Sequence, residues 1–156
     1  MIEVLRKENQ VYGEFNKGEI VENKPIGFPH EKGGFKAYSN IFYWAFASSK
    51  IKSTIGLHPH KGFEIISYVI KGRIRHYDTL IKKWIYLNEG DLQVIQAGSG
   101  ISHSESFNQN AAIFQIWLDP NLEKSITQKP TYKDYSAKNF KLKEEKKIII
   151  GESSHV

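Results

Sequence analysis

Two short motifs, His58-Pro59-His60 and His103-Ser104-Glu105, hold the residues of this chain whose types and spacing could do chemistry. Each places two candidate ligands at i and i+2, positions that share one face of an extended strand. His58 and His60 would then point the same way, as would His103 and Glu105. Three neutral imidazoles and one carboxylate converging inside a small β-barrel suit a divalent first-row cation (Fe, Mn, Ni, Cu or Zn), with coordination positions left for water or substrate. A single His-x-His is a weak signal. Two such pairs, flanked by Gly56 and Gly62 and by Gly98 and Gly100, are a much stronger one, because the glycines put backbone bends beside both pairs. The competing reading is that these are surface or hydrogen-bonded core histidines that happen to fall in pairs.

The elements that must position these residues read as β-strands. Short apolar runs at 63–70, 73–78, 83–87, 92–96, 103–107 and 112–118 are separated by turn formers, among them Lys71-Gly72 and Asn88-Glu89-Gly90-Asp91. Short strands at this spacing indicate a β-sandwich or a double-sheet jelly roll, and nothing reads as βαβ. Residues 41–47 form a dense aromatic run, apolar on both alternating faces, predicted to be a strand buried on both sides. Fragments at 11–13 and 15–20 look like strands around a glycine turn, while 5–10 fits either a strand or one helical turn. The stretch 25–34 is rich in Pro and Gly and reads as loop. So does 130–135, and 146–151 reads as a last short strand.

Composition sets the outer bounds. With 156 residues, 40% of them hydrophobic and 25% charged, the chain suits one globular domain with a real core. No apolar run is long enough for a bilayer, and the first residues lack the apolar core of a signal peptide, so a cytoplasmic location is expected. With no cysteine, disulfides and thiolate ligands are excluded. The net charge of +5 raises the question of nucleic acid, but only Arg6, Arg73 and Arg75 among 22 basic residues are arginine. Arginine is the usual bidentate reader of phosphate and guanine, and the lysines are scattered. The charge therefore reads as a solvated surface rather than a nucleic-acid patch.

The residues around these motifs resemble those of a known family. Gly56-Leu57-His58-Pro59-His60-Lys61-Gly62-Phe63-Glu64 is similar to the His-Pro-His-Arg-Gly-Phe-Glu signature of the pirins, a branch of the cupin superfamily. Gly72, His76, Asp78, Gly90-Asp91-Leu92-Gln93, the run from Ala97 to Glu105, Phe114-Gln115-Ile116-Trp117-Leu118 and, more faintly, Pro130-Thr131-Tyr132 are similar too. The resemblance spans about residues 35–135. It implies an all-β cupin fold, the double-stranded β-helix or jelly-roll barrel, as a single barrel with short terminal extensions. It also implies one iron, Fe(II), held by His58, His60, His103 and Glu105. Glu64 falls near, but one residue before, the usual motif-one glutamate of cupins; in pirins it is not a ligand, which leaves it a supporting or proton-accepting role. His76 is expected to be a structural hydrogen-bonding residue.

Pirins usually carry two barrels. On this resemblance residues 1–135 form the cupin barrel, and 136–156 form an extension similar to the start of a second one. Barrel surface left uncovered predicts a homodimer. The resemblance implies a metal-dependent dioxygenase of the quercetin 2,3-dioxygenase type. It would act on a flavonol-like aromatic substrate with O2 and open the ring with loss of carbon monoxide, and Glu105 or Glu64 would accept the substrate proton. Phe42, Trp44, Phe46, Phe63 and Phe107 are candidate apolar walls, or core. The alternatives are an iron-containing regulatory, protein-binding module that senses redox state, or a cupin enzyme acting on another small molecule; fold alone does not separate these.

Overall fold

The computed structural model describes residues 3–140 and the backbone of 142–143 and 146–147. In chain order the strands are β1 (Val11–Phe15), β2 (Ile20–Ile26), β3 (Ile41–Ser49), β4 (Ser53–His60), β5 (Glu64–Lys71) and β6 (Arg73–Asp78). They continue with β7 (Ile85–Asn88), β8 (Leu92–Gln96), β9 (Ile101–Phe107), β10 (Ala112–Leu118) and β11 (Thr131–Tyr135). A single helical turn, α1 (Leu122–Ser125), lies between β10 and β11, and β12 (Leu142–Lys143) pairs with β13 (Lys146–Lys147). The remainder of the strand expected at 146–151 lies outside the described residues. Among the described residues no helix is long and apolar enough to cross a membrane.

Two antiparallel sheets face each other: β1-β2-β3-β10-β5-β8-β11 and β4-β9-β6-β7. This is the jelly-roll arrangement of a cupin, with the two sheets not hydrogen-bonded into one closed barrel. Period-2 alternation decides what each strand turns inward. On β3, Tyr43, Ala45 and Ala47 are buried, whereas Trp44 and Phe46 are 37% and 38% exposed. The aromatic run is thus buried on one face only; Trp44 and Phe46 lie on the outer face of the large sheet, where they share a shallow pocket with Lys7 and Gln10.

Cross-strand register stacks the interior into layers. At one end Ala47, Ile113 and Val69 of the large sheet share an apolar cluster with Phe107, Ile74 and Leu87 of the small one. Toward the other end Ile65 and Ile95 cluster with Ile101, and Trp117 and Tyr132 pack beside them. Between these apolar layers runs a polar row, Gln115–Ser67–Gln93, facing Glu105 and His76. Buried polar side chains persist only where they bond to one another or to a ligand. Here Gln93 and Gln115 bond both to Ser67 and to Glu105.

Three stretches differ from expectation. Residues 16–18, inside the fragment 15–20 read as strand, form a 3-10 turn between β1 and β2. Residues 131–135, read as loop, form β11; the pairing partner β8 supplies the ladder, and Pro130 sits just ahead of the strand, where no donor is needed. Pro25 and Ile26, read as loop, end β2, and the ladder to β3 is irregular between Asn23 and Ile26, where Pro25 has no N–H to give.

Candidate metal centre

The two histidine motifs lie on neighbouring strands, β4 and β9, and pair directly. Their register contains an irregularity: Ile55 faces Glu105 and His58 faces His103, so β4 carries one residue more than β9 in this interval. A bulge at Gly56-Leu57 shifts the inward phase of β4 from odd to even residues. Without it Leu57 and Pro59 would face the interior; with it Leu57 is 58% exposed and His60 only 8%. The same bulge orients the first imidazole, since His58 Nδ1–H donates to the Gly56 carbonyl at 2.8 Å and leaves Nε2 with its lone pair. At the far end of β9 the turn from β8 passes through Gly98 at φ +50°. A Cβ there would stand 2.5 Å from the Gln128 carbonyl oxygen, so both conformation and space require glycine.

Together these devices gather His58, His60 and His103, whose ligand nitrogens lie within 4.8 Å of one another. The Nε2 atoms of His60 and His103 are 2.8 Å apart. Nitrogens facing each other so closely share either a proton or a cation. Two ligands about 2.1 Å from one metal, at roughly right angles, would stand about 3 Å apart. Burial, followed by the nearby His58, pushes the His60 imidazole down to about 4. Burial and the three neighbouring histidines push His103 to about 2. Both are therefore neutral near pH 7, the form that binds metal. The donor set fits a divalent cation.

Glu105 takes the next inward position on β9. Its carboxylate stands outside the group formed by the three imidazoles but lines the same cavity as His58. It accepts hydrogen bonds from Gln115 Nε2 at 3.1 Å and Gln93 Nε2 at 3.3 Å. Burial pushes this carboxyl above its ordinary value, while the His76 and His58 imidazoles and the two amides oppose the shift. His76 donates Nε2–H to Asp78 at 2.7 Å, both side chains being fully buried, in the structural role expected of it.

Glu64 is not brought to this place. The chain turns at Gly62, φ +90°, and leaves the small sheet, so Glu64 opens β5 in the large sheet. Its neighbours Ile65 and Ser67 point inward; Glu64 points the other way and accepts from Gln96 Nε2 at 2.9 Å. Parity counted from His60 does not survive a change of sheet. The expected aromatic walls separate similarly. Phe107 is core, Trp44 and Phe46 lie on the outer face, and Phe63 sits 5.2 Å from the His60 ring with Phe42 behind it.

The space in front of His58 and Glu105 is a cavity of about 610 Å³ whose aromatic surface includes Phe15, Phe28, Tyr43 and Trp117. Tyr43 and Trp117 stack at 4.4 Å, and Phe28 packs against both. Its polar wall comes from β2, where Glu22 and Lys24 are both buried. Sequence reasoning missed these residues. The available signal was the alternation Ile20, Glu22, Lys24, Ile26, which puts two ionisable groups at inward positions of one strand.

A two-sheet jelly roll with three imidazoles converging on one interior point defines a cupin. The Pirin family model matches residues 31–118, more than half of the chain. The chain belongs to the pirin family. It is 34% identical over 99 residues to a quercetin 2,3-dioxygenase of Escherichia coli strain K12, a match covering 62% of this chain and 40% of that protein. Over 66 residues it is 48% identical to a pirin-like protein of Caulobacter vibrioides, covering 40% of this chain and 28% of the relative. The crystal structure of the bacterial pirin YhhW of Escherichia coli in complex with nickel(II) superposes with a TM-score of 0.71 at 24% identity, covering 84% of this chain and 56% of that one. The matches thus span about half, or less, of the length of these relatives.

Proposed function

We propose that this chain is a metal-dependent dioxygenase of the quercetin 2,3-dioxygenase type, with one divalent cation held by His58, His60, His103 and Glu105. The observation that carries this reading is the convergence of three imidazoles beside an aromatic-lined cavity of about 610 Å³ that His58 lines. That volume lies within the ~300–1,000 Å³ range of small-molecule sites. Fe(II) is the proposed cation, and imidazole with carboxylate suits Mn, Ni, Cu or Zn as well; that the bacterial pirin YhhW forms a complex with nickel(II) supports a bound metal. When bound, the cation would supply Lewis acidity that favours the ionised form of a substrate hydroxyl.

The chain's own residues do the rest. The Gly56 carbonyl fixes the His58 ring, and Gln93 and Gln115 hold the Glu105 carboxylate. The Tyr43–Trp117 stack offers an aromatic wall for a planar, flavonol-like ring. Of the two carboxylates expected from the sequence to accept the substrate proton, Glu105 lines this cavity and Glu64 does not. A second reading, a pirin-like regulatory module that binds other proteins, is favoured by the half-exposed Trp44 and Phe46 on the outer sheet face.

Flavonol-dependent oxygen uptake separates the two, measured after reconstitution with Fe(II), Mn, Ni and Cu in turn and with His103→Ala as control. Uptake that tracks metal loading and disappears in the variant, together with most of its metal, supports the dioxygenase. Tight metal binding without uptake moves the assignment to the regulatory module. Absence of metal binding refutes both.

A further inference from the structure

Glu22 is a buried ionisable group that the metal centre does not use. It projects inward from β2 into the same cavity as His58 and Glu105. Burying a carboxylate is costly unless it is bonded or has a task. Its neighbour Lys24 is accounted for by an ion pair with Glu31, which also accepts from the Phe28 N–H at 2.8 Å. Glu22 is accounted for only in part. Oε1 accepts from the Tyr43 hydroxyl at 2.8 Å, and among the described residues Oε2 accepts no hydrogen bond.

Gly13, opposite Glu22 on β1, explains what keeps Oε2 open. A Cβ at this position would lie 2.9 Å from Glu22 Oε2 and 3.1 Å from Lys24 Nζ. The backbone of Gly13 is not in the left-handed region, so glycine is required here for space and not for conformation. Any side chain at position 13 would fill the space over the carboxylate.

We propose that Glu22, positioned by Tyr43, is the general base that takes the proton from the substrate hydroxyl in this cavity. The inference rests on the dioxygenase reading. In the step the substrate O–H bond breaks, its electron pair stays on the substrate oxygen, and the proton forms a bond to Glu22 Oε2. The proton later returns to the carboxylate that ring opening leaves on the product. Both atoms of O2 enter the products, so no further oxidant is needed.

The setting suits this task better than that of Glu105, whose oxygens already accept from two amides. Burial raises the Glu22 carboxyl above its ordinary value; the Tyr43 hydroxyl and the Lys24 ammonium pull it back, and Glu105 and Glu31 add to the rise. A carboxyl raised above its solution value is a stronger proton acceptor than a free carboxylate and can still return the proton.

The test uses the metal-loaded full chain with a flavonol, and Glu22→Gln, which keeps the shape of the side chain. Anaerobic binding is followed by absorbance, because ionised and neutral flavonols absorb at different wavelengths, and metal content is measured in parallel. Wild type should bind the ionised form at pH 7. Glu22→Gln should keep its metal, bind the neutral form, and lose about 100-fold or more in kcat/KM, the usual contribution of a general base. Tyr43→Phe removes a donor that favours the ionised carboxylate, so the acidic limb of its kcat/KM profile should move to higher pH. Equal ionisation and rate in Glu22→Gln, or an unmoved limb in Tyr43→Phe, overturns the assignment while leaving the dioxygenase in place. No oxygen uptake by metal-loaded wild type removes the dioxygenase reading itself, and the base with it.

Discussion

Gln115 is the side chain on which the carboxylate half of the centre depends, and Gln115→Leu tests that dependence. Its amide nitrogen lies 3.1 and 3.3 Å from the two oxygens of Glu105 and 2.9 Å from Ser67 Oγ, and its Oε1 accepts from Trp117 Nε1 at 2.8 Å. Leucine preserves approximate volume but leaves Glu105 with Gln93 alone and the Trp117 indole without its acceptor. A hydrogen bond to a charged group contributes roughly 1.5–3 kcal/mol, and an orphaned buried donor costs roughly 1–3 kcal/mol. The metal-free variant should therefore lose about 3 kcal/mol by urea denaturation. Groups that orient metal ligands typically change affinity by about 10–100-fold, so a competitive chelator titration should show a drop of that size for Fe(II) or Ni(II). Gln93→Leu should lose less affinity, since Gln93 offers Glu105 a single contact at 3.3 Å. Unchanged metal affinity in Gln115→Leu, with its stability loss intact, would show that Glu105 does not reach the metal and that the centre is built from three imidazoles.

Two further outcomes follow from the same geometry. The His103 imidazole, pushed by burial to about 2, has a folded pKa below its unfolded value of about 6.5, so the unfolded chain binds its proton more readily. Its contribution to the stability of the metal-free protein is complete above pH 6.5 and is lost as pH falls below it, at about 1.4 kcal/mol per pH unit. The raised carboxyls of Glu22 and Glu105 act in the opposite sense, losing stability as pH rises above their unfolded values, so the comparison is between wild type and His103→Gln. A stability difference that stays flat between pH 7.5 and 5 would refute a buried neutral His103. Gly98→Ala, which forces a Cβ to 2.5 Å from a backbone oxygen at φ +50°, should cost about 2 kcal/mol or more and lower Tm by several degrees. An unchanged Tm would show that the β8–β9 turn can relax.

Much of this protein was legible from residues alone. Alternating apolar runs with Gly and Asn-Glu-Gly-Asp turns located β6, β8 and β10 at their observed bounds, because strand period and turn chemistry are local properties. The i, i+2 pairs put His58 with His60 and His103 with Glu105 because the strand period is two. What tertiary structure decided depends on the partner strand. The bulge at Gly56-Leu57 is a mismatch between β4 and β9, and neither strand's sequence records the other's count. Glu64 turns away from the centre because the chain changes sheets at Gly62, which no periodicity measured along the chain can register. Glu22 and Tyr43 meet in the cavity that His58 lines because β2 and β3 are neighbours in the large sheet. Ligand types are written in the sequence; the space in front of them is set by sheet order and register, which exist only once the strands have paired.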